Sequence, residues 1–114
     1  MAKNRKLHIV WTSADYEVAD KFVFMYAINS MLAGCWDSVN IIIKGPSALL
    51  VANDKRIQTK IQEALIVGVT FEACSSSASL YFITDKLTAQ EINLREMDIP
   101  LTEYIQANEY LITV

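Results

Sequence analysis

Of the two cysteines in the chain, one lies where its thiol could be activated. Residues 69–74 alternate between apolar and polar side chains, which predicts a strand that ends at Cys74. Three serines follow and favour the start of a helix. A thiol at a helix start faces unpaired backbone N–H groups, which favour the thiolate, the nucleophilic form of cysteine. Cys74 is therefore the candidate nucleophile, and burial as a small packing residue is the alternative.

The other candidate partners for this chemistry are poorly placed. Cys35 follows Gly34 at a predicted helix end, where a thiolate is disfavoured, so we expect Cys35 to pack. His8 lies toward the start of the first predicted strand and is expected to be structural. One histidine and two widely spaced cysteines do not form a metal-binding pattern, and glycine-rich phosphate-binding motifs are absent. We therefore predict neither a metal nor a cofactor.

Small polar residues end three of the predicted strands. They are Thr12 and Ser13, then Lys44, Gly45, Pro46 and Ser47, and finally Ser75, Ser76 and Ser77 after Cys74. Because the carboxyl ends of parallel strands meet at one edge of a sheet, these residues predict a shallow binding pocket beside Cys74. Lys44 could hold an anion or a thiolate there, and a solvated strand end with an ordinary turn is the alternative.

Strand-like and helix-like segments alternate along the chain. Strands are predicted at 7–12, 39–44, 69–74 and 110–114, with a short edge strand around Ile92 and Leu94. Helices are predicted at 13–33, 54–67, 75–82 and 100–107, with a short turn at 48–52, while 84–98 stays ambiguous. On the first helix, one apolar face is expected, made of Val18, Phe22, Met25, Asn29 and Leu32 with Tyr26 alongside.

This alternation predicts one α/β domain over residues 1–114. Helix-length connections imply parallel pairing and right-handed crossovers, so we expect a three-layer α/β/α sandwich with a mainly parallel, doubly wound sheet. A ferredoxin-like arrangement is less well supported, because hairpin sequences are absent.

Composition limits the possible partners and location. A net charge of −3 argues against nucleic acid and anionic membranes as partners. The sequence shows neither a signal peptide nor an apolar run of the ~20 residues that span a bilayer, so we expect a cytoplasmic protein with reduced thiols. The hydrophobic share of 53% indicates spare apolar surface for a homo-oligomer interface.

Six segments resemble the DsrE/DsrF-like sulfur-relay family across nearly the whole chain. They are Leu-His-Ile-Val-Trp-Thr-Ser at 7–13, Met-Tyr-Ala-Ile-Asn at 25–29, Gly-Cys-Trp-Asp at 34–37, Ile-Lys-Gly-Pro-Ser at 43–47, Gly-Val-Thr-Phe-Glu-Ala-Cys at 68–74 and Pro-Leu-Thr-Glu-Tyr-Ile at 100–105. The resemblance implies an α/β sandwich assembled into dimers, trimers or hexamers. It also implies that Cys74 accepts sulfur as a persulfide from a donor protein and passes it to an acceptor.

Two positions depart from this family's pattern. Many relatives have a second cysteine where this chain has Ser77, and many have tryptophan where it has Lys44. A relay with one cysteine needs only a nucleophile and a partner, so a sulfur carrier or sulfurtransferase remains the first hypothesis. The alternatives are a non-catalytic oligomeric interaction subunit and a small-anion-binding module with a degenerate cysteine loop.

Overall fold

A five-stranded parallel sheet forms the centre of the protein. The computed structural model describes residues 5–114. The strands are β1 (Lys6–Trp11), β2 (Ser38–Ile43), β3 (Thr70–Cys74), β4 (Asn93–Arg95) and β5 (Tyr110–Thr113), in the order β4-β3-β2-β1-β5. All four pairings are parallel. The predicted α/β class is confirmed, and the sheet order is that of a doubly wound sheet, in which β5 returns to the far side of β1.

The helices connect these strands in sequence. They are α1 (Tyr16–Val18), a π-helical segment (Ala19–Phe24) that runs directly into α2 (Met25–Leu32), α3 (Ser47–Asn53), α4 (Lys55–Ile66), α5 (Ser75–Leu80), α6 (Thr84–Thr88) and α7 (Asp98–Gln106). As predicted, Asp54 caps α4, where its carboxylate accepts hydrogen bonds from the backbone N–H groups of Arg56 and Ile57. No helix within residues 5–114 is long and apolar enough to cross a membrane.

The two faces of the sheet are covered unequally. On the first face, alternate residues of β1, β2 and β3 pack with helices α2, α3, α4, α5 and α6 in the main hydrophobic core. On the second face, a smaller cluster of Val10, Ile42, Cys74 and Met97 packs against Leu101 and Tyr104 of α7 and Leu111 of β5. The helices on the two faces make the outer layers of the sandwich.

The prediction of which face of the first helix is buried is wrong. Phe22, Met25 and Leu32 are exposed, by 42%, 47% and 68% respectively. The residues that face the core are smaller on average, and they are Ala19, Val23, Phe24, Ala27 and Ser30. Small side chains on the buried face let this helix lie close to the sheet. Because the hydrophobicity pattern does not take side-chain size into account, it selects the neighbouring face, which carries larger apolar residues.

The ambiguous region 84–98 contains α6 and β4. β4 lies at the short edge strand predicted around Ile92 and Leu94, although its three residues are too few to show an alternating pattern. α7 begins at Asp98, two residues before the predicted start at Pro100, which lies in its first turn, where proline costs no helical hydrogen bond.

Candidate functional site

Cys74 lies at the carboxyl end of β3 and immediately precedes α5. Burial raises the pKa of its thiol, but backbone N–H groups of Ser77 and Ser76, the Ser77 hydroxyl and the charge of Lys44 act in the opposite direction. The net result is a Cys74 pKa below the ordinary value of 9.0. A lowered pKa increases the fraction of thiolate at neutral pH, so Cys74 has the electrostatics of a nucleophile.

Two carboxylates that the sequence did not single out complete this end of the sheet. Glu96 accepts hydrogen bonds from the hydroxyls of Ser75 at 2.7 Å and Ser76 at 2.5 Å. Those two hydroxyl donors lower the pKa of Glu96. Asp98 lies 3.8 Å from the ammonium group of Lys44. Both acids follow β4, which corresponds to the predicted short edge strand, and its parallel pairing with β3 brings them to the same edge as Cys74.

Access to the thiol is narrow. Cys74 is 7% exposed and belongs to the second-face cluster, in which Ile42 and Met97 are completely buried. Met97 is the N-cap residue of α7, and Leu101 in the next turn packs against the same cluster. The electrostatic environment of Cys74 therefore favours the thiolate, but neighbouring side chains cover most of the sulfur.

The remaining predicted pocket residues use their hydroxyls within the fold. Thr12 donates to the Val114 carbonyl at 2.8 Å, and the Ser13 hydroxyl accepts a hydrogen bond from the Asp15 N–H. Ser47 is fully buried and donates to the Trp11 carbonyl at 2.5 Å.

The turn between β2 and α3 has a local conformational role. Gly45 adopts a φ of +73°, a conformation that most other residues disfavour, and Pro46 precedes the first residue of α3. The structure thus brings Lys44, Cys74 and the three serines 75–77 together with Glu96 and Asp98.

Cys35 is exposed, contrary to the packing role expected for it. It follows Gly34, whose φ is +72°, and its backbone N–H donates to the Ser30 carbonyl. These contacts fix the backbone at the helix end and leave the side chain outside the core. Cys35 is consequently the thiol that reagents reach first.

A second group of polar residues lies on the second face of the sheet, nearer its amino end. His8, Asn40 and Glu72 sit on three neighbouring strands and are each at most 7% exposed. They border a cavity of about 540 Å³ that also touches Tyr104 and Glu109. His8 lies level with Asn40 and, across β2, with Thr70, so it is on the opposite half of the sheet from Cys74.

Glu72 is the centre of this polar group. One carboxylate oxygen accepts hydrogen bonds from Asn40 at 2.7 Å and from the Tyr104 hydroxyl at 2.6 Å. The other oxygen accepts a hydrogen bond from Nε of Arg95 and forms an ion pair with a terminal guanidinium nitrogen of the same side chain. Burial raises the pKa of Glu72, but these donors outweigh it and hold the pKa below 4.5. Glu72 is therefore ionised at neutral pH and has all its partners.

Tyr104 and His8 extend the polar group toward α7 and β5. The Tyr104 ring stacks on His8 with 3.8 Å between ring centroids. Burial and the neighbouring Glu72 raise the pKa of Tyr104 to about 12, so its hydroxyl keeps its proton. Asn40 donates to one ring nitrogen of His8, and the other lies 2.6 Å from Glu109. Because Asn40 donates to that nitrogen, His8 carries its proton on the nitrogen that faces Glu109.

Among residues 5–114, no group of three or more histidine, cysteine, aspartate or glutamate side chains is placed to hold a metal ion. The residues at the Cys74 edge also lack the glycine-rich cradle that a nucleotide cofactor needs.

Two of the solved structures that match this chain show the same fold. A conserved protein of unknown function, BT1422 from Bacteroides thetaiotaomicron, is 40% identical, with a TM-score of 0.94 over 97% of this chain and 96% of that one. MTH1491 from Methanobacterium thermoautotrophicum, also of unknown function, is 16% identical, with a TM-score of 0.73 over 98% of this chain and all of that one. No protein-family model matches the chain, and no functionally curated protein does. The similarity to MTH1491 concerns the fold alone, whereas at 40% identity over its full length the chain belongs to the same family as BT1422 of Bacteroides thetaiotaomicron.

Proposed function

We propose that this protein is a sulfur carrier that holds sulfane sulfur as a persulfide on Cys74 and passes it to a partner thiol. The observation that carries the proposal is the position of Cys74 at the carboxyl end of β3 and directly before α5, where the N–H groups and hydroxyl of the following serines and the charge of Lys44 lower the pKa of its thiol. The resemblance of six sequence segments to the DsrE/DsrF-like family supports the same chemistry. A cytoplasmic location, where thiols stay reduced, is part of the proposal.

The chemistry consists of two exchanges at one sulfur atom. The Cys74 thiolate attacks the outer sulfur of a donor persulfide, a new S–S bond forms, and the donor leaves as a thiolate. An acceptor thiolate then attacks the outer sulfur of the Cys74 persulfide, and Cys74 leaves as the thiolate. The sulfane sulfur keeps its oxidation state throughout, so the cycle needs no further oxidant or second cysteine.

Charges around Cys74 favour a protein persulfide over a small inorganic anion as the donor. Lys44 supplies one positive charge, and Glu96 and Asp98 supply two negative ones. Asp98 lies close enough to Lys44 to compete with any bound anion. The small-anion-binding alternative therefore has less support than sulfur transfer.

Persulfide loading is the experiment that tests this function. In a Cys35→Ser background, which removes the exposed thiol, Cys74 is the only cysteine. We expect intact-mass spectrometry after incubation with a low-molecular-weight persulfide to show addition of one sulfur atom. The double variant Cys35→Ser/Cys74→Ser should show none. Equal loading of both proteins, or no loading of either after prior reduction, would refute the proposal.

A homo-oligomeric interaction subunit is the second candidate, and a row of aromatic side chains at the surface favours it. Three of its members are exposed, and Trp36 is partly buried. We call Phe22, Tyr26, Trp36 and Tyr110 the aromatic row. Phe22 stacks on Tyr26 with 5.9 Å between centroids, Trp36 donates to the Tyr26 hydroxyl at 3.2 Å, and Trp36 meets Tyr110 at 5.4 Å. This row joins the outer face of the first helix to the edge strand β5.

The neighbouring groove has features that suit a second copy of the chain. Val18, Phe22 and Val114 make its apolar floor, and Glu17 and Lys21 supply charges of both signs. A surface that carries both charges can pair with itself across a two-fold axis. We expect Phe22→Ser to lower the mass measured by analytical ultracentrifugation, whereas Ile66→Ser, at an exposed residue on α4, should not. A wild-type protein that is monomeric at every concentration would contradict this candidate.

A further inference from the structure

α7 is the element that separates Cys74 from solvent on the second face of the sheet. Within the described residues, α7 and its N-cap Met97 supply every helical side chain of the cluster that contains Cys74. Met97 is completely buried, while Leu101 in the next turn is only half-buried. Any reagent that approaches from this side must displace α7.

Apolar contacts hold α7 only weakly. Ile99 and Ile105 are 73% and 56% exposed, so two of its large apolar side chains contribute little to packing. Pro100 is the only residue between Asp98 and Gln106 that is fully buried. A helix with so little buried apolar surface is among the least stable elements of a fold, so the free energy of its local opening is small.

A polar latch compensates for this weak packing. We define the latch as Glu72, Arg95 and Tyr104. The Tyr104 hydroxyl donates to Glu72 at 2.6 Å and accepts from Arg95 at 2.8 Å, and its ring stacks on His8. Tyr104 is thus the one α7 side chain that is hydrogen-bonded to side chains of the sheet, and both of its partners are charged.

From this geometry we propose that α7 is a movable cover over Cys74 and that the latch sets how often it opens. This inference rests on the proposed function of Cys74. Persulfide exchange requires that the partner sulfur reach the Cys74 thiol, and a thiol that is only 7% exposed does not allow this. When the latch breaks, α7 can lift together with Met97, opposed at its amino end by the exposed Asp98–Lys44 ion pair, and expose the thiol. When it forms, a bound persulfide exchanges with solvent thiols only as fast as α7 opens.

The test measures how fast Cys74 reacts with a thiol reagent when the latch is weakened. In the Cys35→Ser background, iodoacetamide labelling is followed by intact-mass spectrometry for Tyr104→Phe and for the parent. Tyr104→Phe keeps the ring on His8 and removes only the hydroxyl. The hydrogen bond to Glu72 is lost outright, whereas the Arg95 guanidinium keeps Glu72 as a partner. We therefore expect labelling about tenfold faster, the factor that corresponds to one hydrogen bond to a charged group.

A matched control separates this effect from the chemistry of the substitution. Tyr110→Phe makes the same change at a tyrosine that is 52% exposed and lies in β5, outside the latch. It should leave the labelling rate unchanged. An equal rate for Tyr104→Phe and its parent would overturn the proposal.

Urea distinguishes opening of α7 from unfolding of the whole chain. Local opening exposes little surface, so labelling of Tyr104→Phe should depend only weakly on urea at low concentrations. A labelling rate that rises with urea as steeply as global unfolding would show that the latch merely stabilises the fold, and would also overturn the proposal. Alkylation requires no sulfur transfer, so α7 opening can be measured even if persulfide loading fails.

Discussion

Replacing Glu72 with glutamine should destabilise the protein by about 3 kcal/mol. The carboxylate accepts three hydrogen bonds, one each from Arg95, Asn40 and Tyr104, and a terminal guanidinium nitrogen of Arg95 adds an ion-pair contact. A glutamine oxygen can keep Asn40 and Tyr104 as donors, but its NH₂ group then faces Arg95. The hydrogen bond and the ion-pair contact of Arg95 are lost at ~1.5 kcal/mol each, the lower end of the range for charged partners, because the Arg95 side chain is 44% exposed and regains water.

Urea unfolding at neutral pH measures this loss. We expect Glu72→Gln to shift the midpoint downward with an unchanged slope, whereas Glu103→Gln, at an exposed carboxylate on α7, should behave as the wild type. A loss below about 0.5 kcal/mol, the usual range for surface changes, would refute the reasoning about the polar group.

The same variant should show a specific dependence on pH. The folded-state pKa of Glu72 lies below the ordinary value of 4.5. Its contribution to stability is therefore complete above that value and declines as the pH falls through the lower folded-state pKa. The difference between wild type and Glu72→Gln should consequently shrink as the pH falls below 4.5. A difference that stays constant into that acid range would contradict an ionised Glu72.

Three further changes test other parts of the account. Ser47→Ala should lower the free energy of unfolding in urea by only about 1 kcal/mol, because the Trp11 carbonyl keeps the Lys44 N–H as a hydrogen-bond donor. The rate of Cys74 alkylation should not change, and faster alkylation would contradict a purely structural role for the Ser47 hydroxyl. Lys44→Gln should move the pH midpoint of Cys74 alkylation upward, since a positive charge is lost; an unmoved midpoint would remove Lys44 from the site. Asp54→Ala should cost about 1 kcal/mol through the lost cap of α4, and an unchanged unfolding midpoint would contradict that role.

Much of the fold could be predicted because its strongest patterns are local. Residues 39–44 contain three consecutive isoleucines, typical of a strand buried on both faces, and β2 covers Ser38–Ile43. Asp54 followed by a regular apolar stripe predicts α4 within a residue or two. Alternation over 69–74 correctly assigned Glu72 and Cys74 to the face away from the main core.

The remaining features depend on size or on contacts between distant residues. Hydropathy favours Phe22 and Met25 as the buried face of the first helix, but close packing on the sheet requires Ala19 and Ala27 there. A short edge strand is predicted where β4 lies, but its three residues leave its end and its pairing with β3 undefined, so Glu96 was not placed beside Cys74.

The latch also cannot be predicted from local sequence patterns. Tyr104 meets Glu72 across 32 residues of sequence, and neither residue's environment is apparent until β3 and α7 are brought together. The exposure of Cys35 has a similar cause, because the turn after Gly34 directs the chain away from the core only once the helix has docked.

Transfer of isotopically heavy sulfur through Cys74 would test the central claim most directly. The Cys35→Ser protein would be loaded with a heavy-sulfur persulfide, freed of excess donor and mixed with glutathione as the acceptor thiol. The account predicts that the added sulfur leaves the protein, appears as heavy glutathione persulfide, and does neither in Cys35→Ser/Cys74→Ser. A wild-type Cys74 that takes up no sulfur, or that holds it without transfer to any thiol, would contradict a sulfur-carrier function.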